Sequence, residues 1–214
     1  MKMTEFSTEV HRNAVAHGWW DSPRSCGEII ALCHSELSEA LEEYRAKRPM
    51  LYFPCNSGGL CVDDRPLENL TCGSRVRKAS DPETFCSARS NKPEGIAVEL
   101  ADCIIRILDW FGKEELDADQ LLTEARTFMY CDVPRRLFAA SPGDYIARWH
   151  LLLSLAFSCW CRASGTYAAA IRMALCVNEI YEWAAEHGVD MDAVLRDKHA
   201  YNKTRTYRHG GKVL

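Results

Sequence analysis

"IAVELADCIIRILDWF", residues 96–111, is the stretch on which the fold turns. Ile96, Leu100, Cys103, Ile104, Ile107, Leu108 and Phe111 recur at the three- and four-residue spacing of one broad helical stripe. Pro93 suits the turn that opens it, and Gly112 reads as its end. Outward from there, every ordered stretch has the same period. Helices are expected over 5–17, from Ser25 to about Arg48, and over about 117–130, 144–163, 167–187 and 190–201. Ser25 and Glu28 form the S-x-x-E box that caps a helix start. No stretch alternates as a strand would. The expected fold is all-α, a helical bundle.

The 214 residues suffice for one substantial core or two small halves. A net charge of -4 carries no nucleic-acid footprint, so no nucleic-acid partner is expected. No apolar run reaches the roughly 18 residues of a membrane span. "LLLSLAFSCWC" (151–161) reads as a buried helix, and "MKMTEFSTEVHRN" lacks the apolar centre of an export signal. A cytoplasmic protein with no membrane partner is the expectation. The eleven cysteines include no C-x-x-C pair and read as reduced thiols. Cys33, Cys103 and Cys176 sit in apolar helical patterns. Cys55, Cys61, Cys72 and Cys86 share an aperiodic insertion, residues 50–92, at spacings that match no common zinc template. An unadorned cysteine-containing loop is the simpler reading.

A weak repeat links the two parts of the chain. At an offset of 73, residues 104–126 match 177–199 at Ile107/Ile180, Trp110/Trp183, Asp117/Asp190, Asp119/Asp192 and Leu122/Leu195. The chain then divides into a first half, 1–130, and a degenerate second half, 131–214, as a tandem pseudo-dimer. In that register Glu99 and Asp102 fall on Arg172 and Leu175, so the second copy lacks their acids.

Those acids are the chemical signal. In "HSELSEALEEYR" (34–45), Glu36 and Glu39 are three apart and share a helix face. Glu99 and Asp102 repeat the spacing inside the apolar stripe, where a carboxylate is costly unless it is paired or holds a cation. Two such helices side by side gather four hard oxygen ligands, a set suited to Mg²⁺, with Mn²⁺ as a substitute. Mg²⁺ commonly bridges to phosphate, which implies a phosphate-bearing substrate. The plain alternatives are a solvated acidic face and pairing of the acids by Arg106.

E-x-x-E on one helix and E-x-x-D on a later one resemble the signature of the MazG-like, all-α nucleoside triphosphate pyrophosphohydrolases, a superfamily that includes the dimeric dUTPases. "GWWDSPRSCGEIIALCHSELSEALEEYR" (18–45) and "KPEGIAVELADCIIRILDWFG" (92–112) resemble the two halves of such a domain. "DMDAVLRDKHAYNKTRTYRHGGK" (190–212) resembles its C-terminal end. The resemblance implies hydrolysis between the α and β phosphates of a (deoxy)nucleoside triphosphate, yielding monophosphate and pyrophosphate, as nucleotide-pool housecleaning. It implies Glu36, Glu39, Glu99 and Asp102 as Mg²⁺ ligands, with Glu36 or Glu39 as general base. Lys198, Lys203, Arg205 and Arg208 would bind the β and γ phosphates with Asn202 orienting, an aromatic of the Trp19–Trp20 pair, Trp20 foremost, would stack on the base, and Arg106 and Asp109 would line the same cavity.

The chain departs from the pattern at Ser35, where many members carry another glutamate, and through long segments at 50–92 and 113–187. The family builds its bundle from two protomers. Either a homodimer or a monomer acting as a pseudo-dimer is therefore expected. The competing readings are a narrow dUTP or dCTP pyrophosphatase, a remodelled non-catalytic binding module, and a zinc-dependent nucleic-acid module built on the insertion cysteines.

Overall fold

A computed structural model describes residues 1–54, 60–63, 69–72, 75–78, 92–128, 141–162 and 165–208. Cys55, Cys86 and the "HGGK" of the tail lie outside the described residues. The described helices are α1 (Met3–Ala16), α2 (Cys26–Arg45), α3 (Ile96–Lys113), α4 (Ala118–Phe128), α5 (Pro142–Trp160), α6 (Gly165–Glu186) and α7 (Met191–Lys203). The all-α bundle expected from the periodicity is the architecture observed. No helix among the described residues is long and apolar enough to cross a membrane.

Two expectations need correction. Residues 52–78 contain four short strands: β1 (Tyr52–Pro54), β2 (Leu60–Asp63), β3 (Asn69–Cys72) and β4 (Arg75–Lys78). They form an antiparallel meander in which Cys61 pairs with Cys72. Strands of three or four residues are too short to display an alternation. Gly112 does not end α3, which continues to Lys113. It is where α1 crosses α3: a Cβ there would lie 2.7 Å from the Ser7 carbonyl oxygen.

α3 is the spine of the first half, buried at Leu100, Ala101, Cys103, Ile104, Ile107, Leu108 and Phe111. It packs on α1, α2 and α7. Its start is pinned by β1, since Tyr52 and Glu94 exchange both backbone hydrogen bonds at 2.9 Å. Gly95, with φ of 114°, caps the helix where a Cβ would meet the Met50 carbonyl oxygen at 2.6 Å. Glu99 is thereby held in the first turn of α3, where the helix dipole favours an anion.

The helices fall into two matching sets. α2 packs on α3, and α5 packs on α6; α3 packs on α7, and α6 packs on α4; α2 meets α5, and α3 meets α6. Capping repeats likewise. Ser25 with Glu28 opens α2, and Ser141 with Asp144 opens α5, both as complete capping boxes. Asp117 accepts from the Gln120 amide at 3.0 Å, and Asp190 accepts from the Ala193 amide at 3.1 Å. Residues 25–41 match 141–157 at eight of 17 positions: Ser25, Gly27, Ile30, Ala31, His34, Leu37, Ser38 and Ala40 recur as Ser141, Gly143, Ile146, Ala147, His150, Leu153, Ser154 and Ala156. Mates also meet. His34 and His150 stack with Nδ1 atoms 2.6 Å apart, and the Cys103 and Cys176 thiols hydrogen-bond. Self-contact of equivalent residues is what a two-fold relation between the sets would produce. One mated position carries a different chemistry: Arg148 and Glu179 form a buried, two-pronged ion pair between α5 and α6, at 2.7 and 2.6 Å.

Candidate metal centre

Helical spacing fixes the site. Glu99, Asp102, Arg106 and Asp109 lie on one flank of α3. α2 faces it, locked in register by the buried Cys33, Leu37 and Ala40, and so presents Glu36. Carboxylate oxygens of Glu36, Glu99 and Asp102 come within 4.8 Å of one another. Two cations border them. Arg106 donates from Nε and Nη2 to Glu36 Oε1, both at 3.2 Å, and Lys198 Nζ lies 2.7 Å from Asp102 Oδ2. Lys198 is only 3% exposed, so its ammonium is committed to this centre.

Three acids against two cations leave a net negative charge. Burial, then the charge of Asp102, push Glu36 up to about 7, with Arg106 opposing. Burial and Asp102 push Glu99 up to about 8, with Lys198 opposing. The bare cluster thus retains protons near neutral pH. The three carboxylates could hold a metal ion, and an all-oxygen donor set of this kind suits a hard divalent cation.

Both raised carboxyls favour the protonated folded state, so their contribution to stability is fully present below the ordinary value of 4.5 and is lost as pH rises through about 7 and 8. The expected melting temperature of the metal-free protein therefore falls across that window. A metal ion held by these carboxylates would expel the protons. Its apparent affinity is expected to climb with pH, up to about tenfold per unit for each proton released. Thermal melts with EDTA and with Mg²⁺ at pH 5.5, 7 and 8.5 measure both trends; parallel curves would contradict them.

The other expected residues are distributed unequally. Glu39 is exposed and stands outside the triad, touched by the Ser35 hydroxyl at 3.4 Å, yet close enough that its charge raises Glu36 and Glu99. A cleft of about 530 Å³, open mouth included, runs beside the acids between α1, α3 and α7. Asp102, Arg106, Asp109, Asn202 and Arg205 line it. Asn202 Oδ1 is buried with no hydrogen-bond partner, an acceptor left for a ligand. Lys203 pairs with Glu9, and Arg208 bonds the Gly18 carbonyl at 3.1 Å and Asp21 at 3.3 Å, so both tie the tail to α1 and its following turn. Trp20 donates its indole N–H to both oxygens of Asp109, at 2.9 and 3.1 Å, and His11 Nδ1 lies 2.8 Å from the same carboxylate. Trp20 and Asp109 brace the wall.

The sequence reading missed two contributors, His199 and Lys92, and of its two candidate tryptophans only one lies at the cleft. Trp19, rather than Trp20, faces the cleft, with the Arg106 guanidinium 5.8 Å from its ring centre. His199 lines the cleft from α7. Lys92, 2.7 Å from Glu94, also feels the charge of Glu99. The Trp19–Trp20 doublet offered a signal: neighbours before a helix point in different directions, so one turns inward.

Three charged positions of the centre have apolar mates in the second half, while Glu99 corresponds to Arg172 and Arg106 to Glu179. Glu36 corresponds to Leu152, Asp102 to Leu175 and Lys198 to Ala125, all buried. No other group of three metal-binding side chains occurs among the described residues. No family model, no curated protein and no solved structure matches this chain.

Proposed function

We propose that this chain is a Mg²⁺-dependent nucleoside triphosphate pyrophosphohydrolase of the MazG-like all-α type, folded as a pseudo-dimer with one centre. The observation that carries the reading is the triad Glu36, Glu99 and Asp102, buried beside an open cleft and short of positive charge. These three residues would hold Mg²⁺, which when bound neutralises charge on the phosphate oxygens. Arg106 and Lys198 fix the orientation of Glu36 and Asp102. Glu39 is one turn beyond Glu36, exposed and without a cationic partner in the cluster, which suits it to take the proton of the attacking water. Arg205 offers a forked donor to phosphate, and Trp19 and Asn202 supply an aromatic surface and an acceptor for the base. The matched helix sets support the pseudo-dimer, because the second half occupies the place of a partner protomer.

Pyrophosphate release from a panel of canonical and modified nucleoside triphosphates tests this reading. Release is expected only with Mg²⁺ or Mn²⁺. Glu39→Ala is expected to lower kcat by about 10²–10⁴-fold, the usual contribution of a general base, with metal affinity retained. Release confined to dUTP or dCTP would define a narrow enzyme. No release from any nucleotide by folded, Mg²⁺-loaded protein would replace the enzyme with a binding module.

A further inference from the structure

The second half holds a cavity where the two-fold relation puts the counterpart of the substrate cleft. The cleft lies between α3 and α7; their mates are α6 and α4, and a cavity of about 780 Å³, open mouth included, lies between those two. Two lining positions correspond directly. Ile105 of the cleft maps to Asn178 of the cavity, and His199 maps to Arg126. The acids have no counterpart here, so this cavity has lost the means to hold a metal.

It has acquired other polar groups. Asn178, only 6% exposed, donates from Nδ2 to the Leu122 carbonyl at 2.8 Å, and its Oδ1 has no partner among the described residues. An amide oxygen without a partner in the lining of a cavity can accept from an N–H donor of a ligand. Arg126 lies one turn beyond Leu122 on α4, about 6 Å along the axis. Its guanidinium makes no ion pair or hydrogen bond among the described residues. The two acids in the lining are already engaged. Asp119 accepts the Met3 and Thr4 amides at 3.0 Å, and Asp192 accepts the Tyr181 hydroxyl and the terminal ammonium, both at 2.8 Å. Leu122, Val177 and Met3 supply apolar wall.

We infer that the α4–α6 cavity is a metal-independent binding site for a nucleoside monophosphate, with Asn178 Oδ1 accepting from the base and Arg126 holding the phosphate. The inference rests on the proposed function, since the ligand class is that of the product. An emptied duplicate of the catalytic cleft then senses the product of the active one.

Calorimetric titration with dAMP, dGMP, dCMP and dUMP in EDTA tests the site. At least one is expected to bind saturably. Arg126→Ala, a change on an exposed side chain, is expected to weaken that binding at least tenfold and to leave pyrophosphate release unchanged. Asn202→Ala, in the other cleft, is expected to leave the EDTA binding intact. Absence of saturable binding in EDTA, or binding weakened by Asn202→Ala and not by Arg126→Ala, overturns the inference. Pyrophosphate release by the same preparations separates the two claims: release without EDTA binding removes this site and leaves the enzyme standing.

Discussion

Replacing Glu99 by alanine is expected to lower Mg²⁺-dependent pyrophosphate release about a thousandfold, or ~4 kcal/mol of transition-state stabilisation, without lowering the melting temperature of the metal-free protein. Glu99 has the most strongly raised carboxyl of the triad, about 8, because burial and Asp102 both oppose its charge. Its removal takes away a ligand and relieves a repulsion. Asp102→Ala is expected to lower activity to the same degree but with a clear loss of stability, since the buried Lys198 loses its partner at 2.7 Å. Kinetics and EDTA melts on the two variants separate a metal centre from a structural acid cluster. Equal stability losses with activity retained would point to the latter.

The second large effect lies in the other half. Glu179→Ala removes the carboxylate that two buried Arg148 donors share, and such a change is expected to cost ~3–5 kcal/mol, about 10 °C in melting temperature. The ion pair ties α5 to α6 through two short hydrogen bonds, at 2.7 and 2.6 Å, with both side chains 7% exposed. Arg148→Leu combined with Glu179→Leu is expected to recover most of the loss, because the desolvation of both charges disappears with them. Chemical denaturation of the single and double variants completes the cycle. A double variant as unstable as the single one would contradict this account of the α5–α6 joint.

Much of the site was legible because buried acids stand out against apolar neighbours. Glu99 and Asp102 stand beside a stripe of Ile, Leu, Cys and Phe, and the triad includes both. Glu39 has the same spacing from Glu36 as Asp102 from Glu99 but a different place. Three residues at 100° each leave two side chains 60° apart, and on α2 that turns Glu39 outward. In sequence Lys198 reads as a phosphate-binding residue of the basic tail; the packing of α7 on α3 carries it to 3% exposure beside Asp102. The stronger of the two sequence matches lies at a different offset from the first. His150 follows His34 by 116 residues while Cys176 follows Cys103 by 73, because the connection between α2 and α3 is longer than that between α5 and α6. The β-meander was invisible for want of length, and the Trp20 indole was committed to Asp109, a partner 89 positions away.

The central claim is that the Glu36–Glu99–Asp102 cluster drives cleavage of a nucleoside triphosphate between its α and β phosphates. Phosphorus-31 NMR of a reacting mixture of protein, Mg²⁺ and nucleoside triphosphates reads this directly. The predicted result is growth of pyrophosphate and nucleoside monophosphate signals in equal amounts, absent in EDTA and absent for Glu99→Ala. Orthophosphate with nucleoside diphosphate, or an unchanged spectrum with the metal bound, would contradict it.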